Sequence, residues 1–166
     1  MLSRRRFSRI AAGAGVAIAA PALSRSSRAQ GQPIKIGTSI SLTGPLSATK
    51  NALVGYQLWR DDINAAGGLL GRPVLLVERD DQARNELGAQ IARELVGKEK
   101  IVAGVGIVNT GVALASQRFY QEARIPMITA VATGSIVTRQ FLPPQHPDNF
   151  IFRVSANDTI QAAPCH

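Results

Sequence analysis

Two threonines stand where a small polar ligand could be held. Thr110 opens a segment with helical spacing. Thr133 lies in Ala130-Val131-Ala132-Thr133-Gly134-Ser135, a stretch of small, hydroxyl-bearing and glycine residues. At a helix start, a hydroxyl and the neighbouring free amides face an anion with favourable dipole sense. Hydrogen bonds to a charged group contribute roughly 1.5–3 kcal/mol each, so a few of them hold the carboxylate of a zwitterion without an arginine. On position alone, Thr110 is equally a plain helix cap and Thr133 a turn residue.

Residues for covalent, redox or metal chemistry are scarce. Asp80-Asp81, with Arg79 and Arg84 nearby, read as loop caps or a salt-bridged surface rather than as an acid pair or a metal site. Gly104-x-Gly106 follows an apolar run, but a dinucleotide fingerprint needs a third glycine where Asn109 stands. There is no phosphate-loop Gly-Lys-Thr/Ser and no nucleophile elbow. Cys165 is the only cysteine, so no disulfide forms within the chain and no cysteine cluster binds zinc. His146 and His166 have no ligand spacing around them. The expectation is a protein with no catalytic residue, no metal and no cofactor. A doubly wound enzyme with a nucleotide cofactor is the rival from another class.

The charge is distributed unevenly. Six of the 19 basic residues precede Ala29 and none of the 11 acids does, which leaves 13 basic against 11 acidic side chains. The formal +8 therefore belongs to the start of the chain, and nucleic acid is not an expected partner. That start reads Ser3-Arg4-Arg5-Arg6-Phe7, then an uncharged run from Ile10 to Leu23, then Ser27-Arg28-Ala29. The run is too short for a bilayer span, which needs roughly 20 apolar residues. The pattern is that of a twin-arginine export signal over residues 1–29, cut after Ala29, and it predicts a periplasmic protein. Residues 30–166 are enough for one modest domain.

The elements that would position the threonines follow from the apolar periodicity. Strands are predicted at Ile34–Ile40, Val74–Val77, Ile101–Val105, Pro126–Thr129 and Phe150–Val154. Helices are predicted over Thr49–Ala66, Glu86–Leu95 and Gly111–Ala123. The first should bury Leu53, Tyr56, Trp59 and Ile63, and the third Val112, Ala115, Phe119 and Ala123. Strands alternating with helices predict an α/β fold, a doubly wound parallel sheet with right-handed crossovers. Such sheets bind ligands beyond the carboxyl ends of their strands. The loops there are Ser41–Ser47, Gly106–Gly111 and Ala130–Ser135, all without charge. Gly67–Pro73 falls at the opposite end and reads as a structural turn.

Several stretches together resemble the amino-terminal lobe of periplasmic solute-binding proteins of the leucine/isoleucine/valine type. They are Ile34-Lys35-Ile36-Gly37, Leu42-Thr43-Gly44-Pro45, Asp62–Gly68, Gly71-Arg72-Pro73-Val74, Asp80-Asp81-Gln82, Ile125–Thr129 and Asn149–Arg153. The segment Ile63–Pro73 is the most specific. The resemblance implies a type I periplasmic-binding-protein fold and a small-molecule ligand, an amino acid of branched-chain type or a related amide. It also implies a partner, an ABC permease in the inner membrane. Thr110 falls where the family binds the ligand carboxylate, Val131 and Ala132 where backbone groups contact the ligand, and Thr133 where a threonine meets the ammonium group and helps with the carboxylate. Thr49 stands in place of an aromatic residue often found in the first loop, which makes a more polar ligand plausible. A sensing module that binds the same ligands is an alternative to transport.

Family members are more than twice as long and cross to a second lobe just after the strand that contains Phe152-Arg153. The expectation is thus an incomplete N-terminal lobe, residues 30–166, without the second wall of its site. Alone it should bind ligand poorly and be prone to aggregate, because apolar strands and one face of the ligand stay uncovered.

Overall fold

The computed structural model describes residues 31–162. The export signal expected at residues 1–29, Cys165 and His166 lie outside the described residues. Five parallel strands form one sheet: β1 (Ile34–Ile40), β2 (Val74–Asp80), β3 (Ala103–Gly106), β4 (Met127–Thr129) and β5 (Ile151–Arg153), in the order β2-β1-β3-β4-β5. The predicted doubly wound α/β architecture is what forms. The order reverses between β1 and β3, the switch point of the sheet, where the loops leave in opposite directions.

Helices α1 (Asn51–Ala65), α2 (Asn85–Gly97) and α3 (Thr110–Ala123) make the connections, with short α4 (Ile136–Arg139) and α5 (Asp158–Gln161) further on. A 3-10 turn, Ser47–Lys50, leads into α1. The helix ends with the amide of Gly68 bonded to Ile63 O and that of Gly67 to Asn64 O, while both glycines take positive φ. That is the Schellman arrangement, which only residues free of a Cβ clash close cheaply. Asn64 then bonds both the amide and the carbonyl of Val74, at 2.7 and 2.9 Å, and so ties α1 to β2. The family-like stretch Ile63–Pro73 is therefore a folding device at the end of the sheet away from the loops.

The main core lies between the sheet and α2/α3, with Leu95, Ile101, Val112, Tyr120, Met127 and Ile151 at its centre. Two glycines make room for it. A Cβ on Gly104 would lie 2.4 Å from the Tyr120 ring, and one on Gly88 would lie 2.5 Å from Val112 Cγ1. On the other face, α1 covers Ile36, Val74 and Leu76 with Tyr56 and Ile63.

Four expectations need correction. β3 begins at Ala103, not Ile101, although Ile101 is buried ahead of it. β2 runs on to Asp80, three residues past the apolar run, because its pairing with β1 continues through Thr38, Ser39 and Ile40. On α3 the buried face is Val112, Ala113, Ser116, Gln117 and Tyr120, while Ala123 is exposed. The close approach at Gly88 and Gly104 selects small residues and one tyrosine over the apolar stripe. Trp59 is likewise at the surface, 40 % exposed, although Leu53, Tyr56 and Ile63 face inward as expected.

Gly104→Ala should force the Tyr120 ring out of its place and destabilise the fold by about 1–3 kcal/mol, the usual cost of overpacking a filled core. Urea unfolding of the variant beside the parent measures this.

Candidate functional site

The first loop, Ser41 to Leu46, is shaped from beneath by two carboxylates. Asp81 is fully buried and accepts from Ser39 Oγ at 2.9 Å, Ser41 Oγ at 2.6 Å and the Ala83 amide at 3.0 Å. Asp80 accepts the amides of Leu42, Thr43 and Gln82 and, at 2.6 Å, the Thr43 hydroxyl. Desolvation works against its charged form. The hydrogen bonds from Thr43 and the three amides outweigh that and hold Asp80 below the usual carboxylate range. Of the two sequence alternatives for this pair, loop capping is correct. Arg79 turns instead to Glu94 at 2.7 Å and Glu99 at 3.3 Å.

The second loop leaves β3 through Gly106, whose φ is +109° and whose Cβ position lies 2.8 Å from Ser39 O. Ile107 follows at φ +50°, and its amide bonds Ser39 O at 2.7 Å. A β-branched residue in the left-handed region stores about 1–3 kcal/mol of strain, which such chains concentrate at functional loops. The helix cap is Asn109, not Thr110: Asn109 Oδ1 accepts the Val112 amide at 3.2 Å. This releases the Thr110 hydroxyl, which accepts the Gly134 amide at 3.2 Å. With an oxygen lone pair engaged there, the Thr110 O–H proton is left to donate elsewhere.

The third loop follows β4. Its Ala130 amide bonds Gly106 O, so the second and third loops start together. Thr110 meets Gly134 closely: a Cβ on that glycine would lie 2.4 Å from Thr110 Cγ2. Thr133 is half-buried, and its carbonyl accepts the Asp158 amide at 3.0 Å. Ala132 is buried in the main core, so only its backbone can reach a ligand, whereas Val131 is 42 % exposed. The fold thus brings Thr110, Ala132 and Thr133 to one place and leaves Val131 at its rim. Thr49 lies apart in the 3-10 turn, its hydroxyl donating to Leu46 O.

Arg153 was part of the family-like strand in the sequence, with no role attached. Its guanidinium donates to Ala132 O at 3.1 Å, Thr133 O at 3.0 Å and Gly134 O at 2.5 Å, and Nε donates to Thr138 Oγ1 at 3.2 Å. Nothing local in the sequence marks this contact, which spans 19 to 21 residues. Two surface hollows, of about 310 and 230 Å³, lie elsewhere: one beside α2 and α3 at Asn85, Leu114 and Arg118, the other at Arg124, His146 and Phe150. Neither touches the three loops. Among the described residues, no group of three or more His, Cys, Asp or Glu side chains could hold a metal ion.

A family model described as periplasmic binding protein matches residues 33–164. An amino acid binding protein of Pseudomonas aeruginosa is 35% identical over 128 residues, 74% of this chain and 32% of that protein. Among solved structures, the branched-chain amino acid transporter substrate binding protein LivJ from Streptococcus pneumoniae, in complex with isoleucine, is 30% identical with a TM-score of 0.69. The match covers 76% of this chain and 35% of that one. A solute binding protein of an ABC transporter from Rhodopseudomonas palustris, in complex with 4-hydroxybenzoate, is 28% identical with a TM-score of 0.64, over 75% and 32% of the two chains. The chain spans about a third of the length of the relatives it matches.

The carboxylates under the first loop generate a test. Asp81→Asn keeps the shape but weakens two short hydroxyl bonds in a dry site, and should cost about 1–3 kcal/mol in urea unfolding. Asp80, with its lowered folded-state value, contributes stability in full above about pH 4, where the unfolded carboxylate is already ionised. That contribution disappears as pH falls through the lower value. Asp80→Asn should therefore be less stable at neutral pH and lose less stability than the parent as pH falls below about 4.

Proposed function

The chain belongs to the periplasmic binding protein family, and from that premise we propose that residues 30–166 are the first ligand-binding lobe of an extracytoplasmic solute-binding protein. The whole protein holds an amino acid of branched-chain type, or a related amide, between this lobe and a second one. It presents that ligand to an ABC permease in the inner membrane. Binding is by shape and hydrogen bonds, with no covalent step, and closure is a hinge motion.

The observation that carries the reading is the junction of Thr110, Thr133 and Gly134 at the carboxyl ends of β3 and β4. A ligand carboxylate laid there accepts the Thr110 hydroxyl, whose oxygen is already oriented by the Gly134 amide. It also lies off the amino end of the fourteen-residue helix α3, where the dipole favours negative charge. Thr133 supplies a second hydroxyl, and Val131 and Ala132 contribute backbone groups. Isoleucine and 4-hydroxybenzoate, the ligands of two of these relatives, both carry a carboxylate, which supports a carboxylate-first reading.

Export through the twin-arginine route is the reading of Ser3-Arg4-Arg5-Arg6-Phe7 before a weakly apolar segment. Changing Arg4 and Arg5 together to Lys should leave unprocessed precursor in the cytoplasm. Normal processing of that variant in cells with the twin-arginine route disabled would refute the assignment.

Thr110→Val and Thr133→Val keep the side-chain shape and remove the hydroxyl. Each should weaken binding of the intact protein to L-isoleucine by about 1–3 kcal/mol, because a charged partner loses a bond in a closed site. Calorimetric titration reads this directly, and unchanged affinity in both variants would remove them from the site.

A further inference from the structure

We infer that Arg153 is the positioning residue of the ligand loop: by drawing three consecutive carbonyls to one side, it turns the amides of Thr133 and Ser135 toward the place where a ligand carboxylate sits. The inference rests on the proposed ligand reading and deepens it.

The geometry is set by the planarity of the peptide. In a trans peptide the C=O and the following N–H point in opposite directions. Ala132 O, Thr133 O and Gly134 O all face the Arg153 guanidinium. Thr133 O also accepts the Asp158 amide at 3.0 Å and Gly134 O the Val137 amide at 3.1 Å, so Arg153 acts together with these two amides and alone on Ala132 O. The amides of Thr133, Gly134 and Ser135 therefore face away from it. The middle one shows where that is, since Gly134 N–H ends on Thr110 Oγ1. The flanking amides of Thr133 and Ser135 have no acceptor among the described residues and lie on the same side. Two free amides and the Thr110 hydroxyl then converge, which is what a carboxylate with two oxygens requires.

Arg153 can impose this because its own position is fixed. It closes β5, paired with Thr129 at the end of β4, and Nε is oriented by Thr138 on α4. A guanidinium has five donors in a planar fork and reaches three carbonyls at once, whereas an ammonium is a point charge on a mobile stem. Among the described residues no acid lies within ion-pair distance of Arg153. Its charge is satisfied by four neutral oxygens and stays unneutralised behind the loop, a field that favours an anionic ligand.

The test uses the intact protein, with L-isoleucine and 4-hydroxybenzoate as probes, and Arg153→Lys, Arg153→Met and the milder Thr138→Val as variants. Two readouts are taken: amide resonances of Thr133–Ser135 without ligand, and affinity by calorimetry. Both Arg153 variants should shift those three resonances and weaken binding about 30-fold or more, Lys no better than Met, since two bonds to a charged group are misaligned. Thr138→Val, which leaves the guanidinium in place but frees Nε, should shift the same resonances with a loss of about three- to fivefold. In the Arg153→Lys background, Thr110→Val should cost much less than in the parent, because the two residues act on one carboxylate. Affinity of Arg153→Lys within threefold of the parent, or unmoved resonances, would overturn the inference. If the Arg153 variants do not fold, Thr138→Val decides by the same criteria. If the parent binds neither probe, the ligand reading fails, and the resonances alone decide whether Arg153 sets the loop.

Discussion

The parallel hydrogen-bond register is the constraint on which the rest depends. Arg79, Ser39, Gly106, Thr129 and Arg153 lie side by side across all five strands. At that row β3, β4 and β5 stop, β1 and β2 end one residue further on at Ile40 and Asp80, and the loops begin. Three loops remote in sequence therefore start from one edge, and no further device is needed to gather them. Gly106 is where the constraint is tightest, since its backbone lies against Ser39 O in a conformation that only glycine takes easily. The strain carried by Ile107 directly after it is tolerated because the amide is bonded back to the same carbonyl.

The chemistry is divided between the loops and their supports. The loops present hydroxyls and amides, which are neutral and cost little to leave facing solvent in the unliganded state. Charge is kept behind them. Asp80 and Asp81 organise the first loop from the β2 side, and Arg153 organises the third from the β5 side. A buried carboxylate such as Asp81 is stable only while its donors are present, so the hydroxyls of Ser39 and Ser41 belong to the framework and not to the ligand surface.

How much of this could be read from the residues depends on the range of the interaction. β1, the turn at Gly67-Gly68 and the neutral loops carry local signals of alternation, glycine and missing charge, and all were legible. The membership of Thr110 and Thr133 in one place followed from parallel topology. The roles of their neighbours did not. Asn109 rather than Thr110 caps α3, a choice that depends on where Gly134 arrives from 24 residues away. Of the predicted stripe on α3, Val112 is buried and Phe119 packs against the core, but Ala123 is exposed, and the face is completed by Ala113, Ser116, Gln117 and Tyr120, where Gly88 and Gly104 leave room for a close approach. Arg153 has no periodicity or motif that betrays its three carbonyl partners. Long-range polar contacts of this kind become visible only once the register is known.

The central claim is that a ligand carboxylate is held on the loops after β3 and β4, and the most direct measurement is a crystal structure of the intact protein with L-isoleucine. The account predicts the carboxylate oxygens about 2.5–3.2 Å from the Thr110 hydroxyl and from the amides of Thr133 and Ser135, with Arg153 still bonded to the carbonyls behind them. Isoleucine lodged elsewhere, with the hydroxyls of Thr110 and Thr133 bonded only to water, would contradict it.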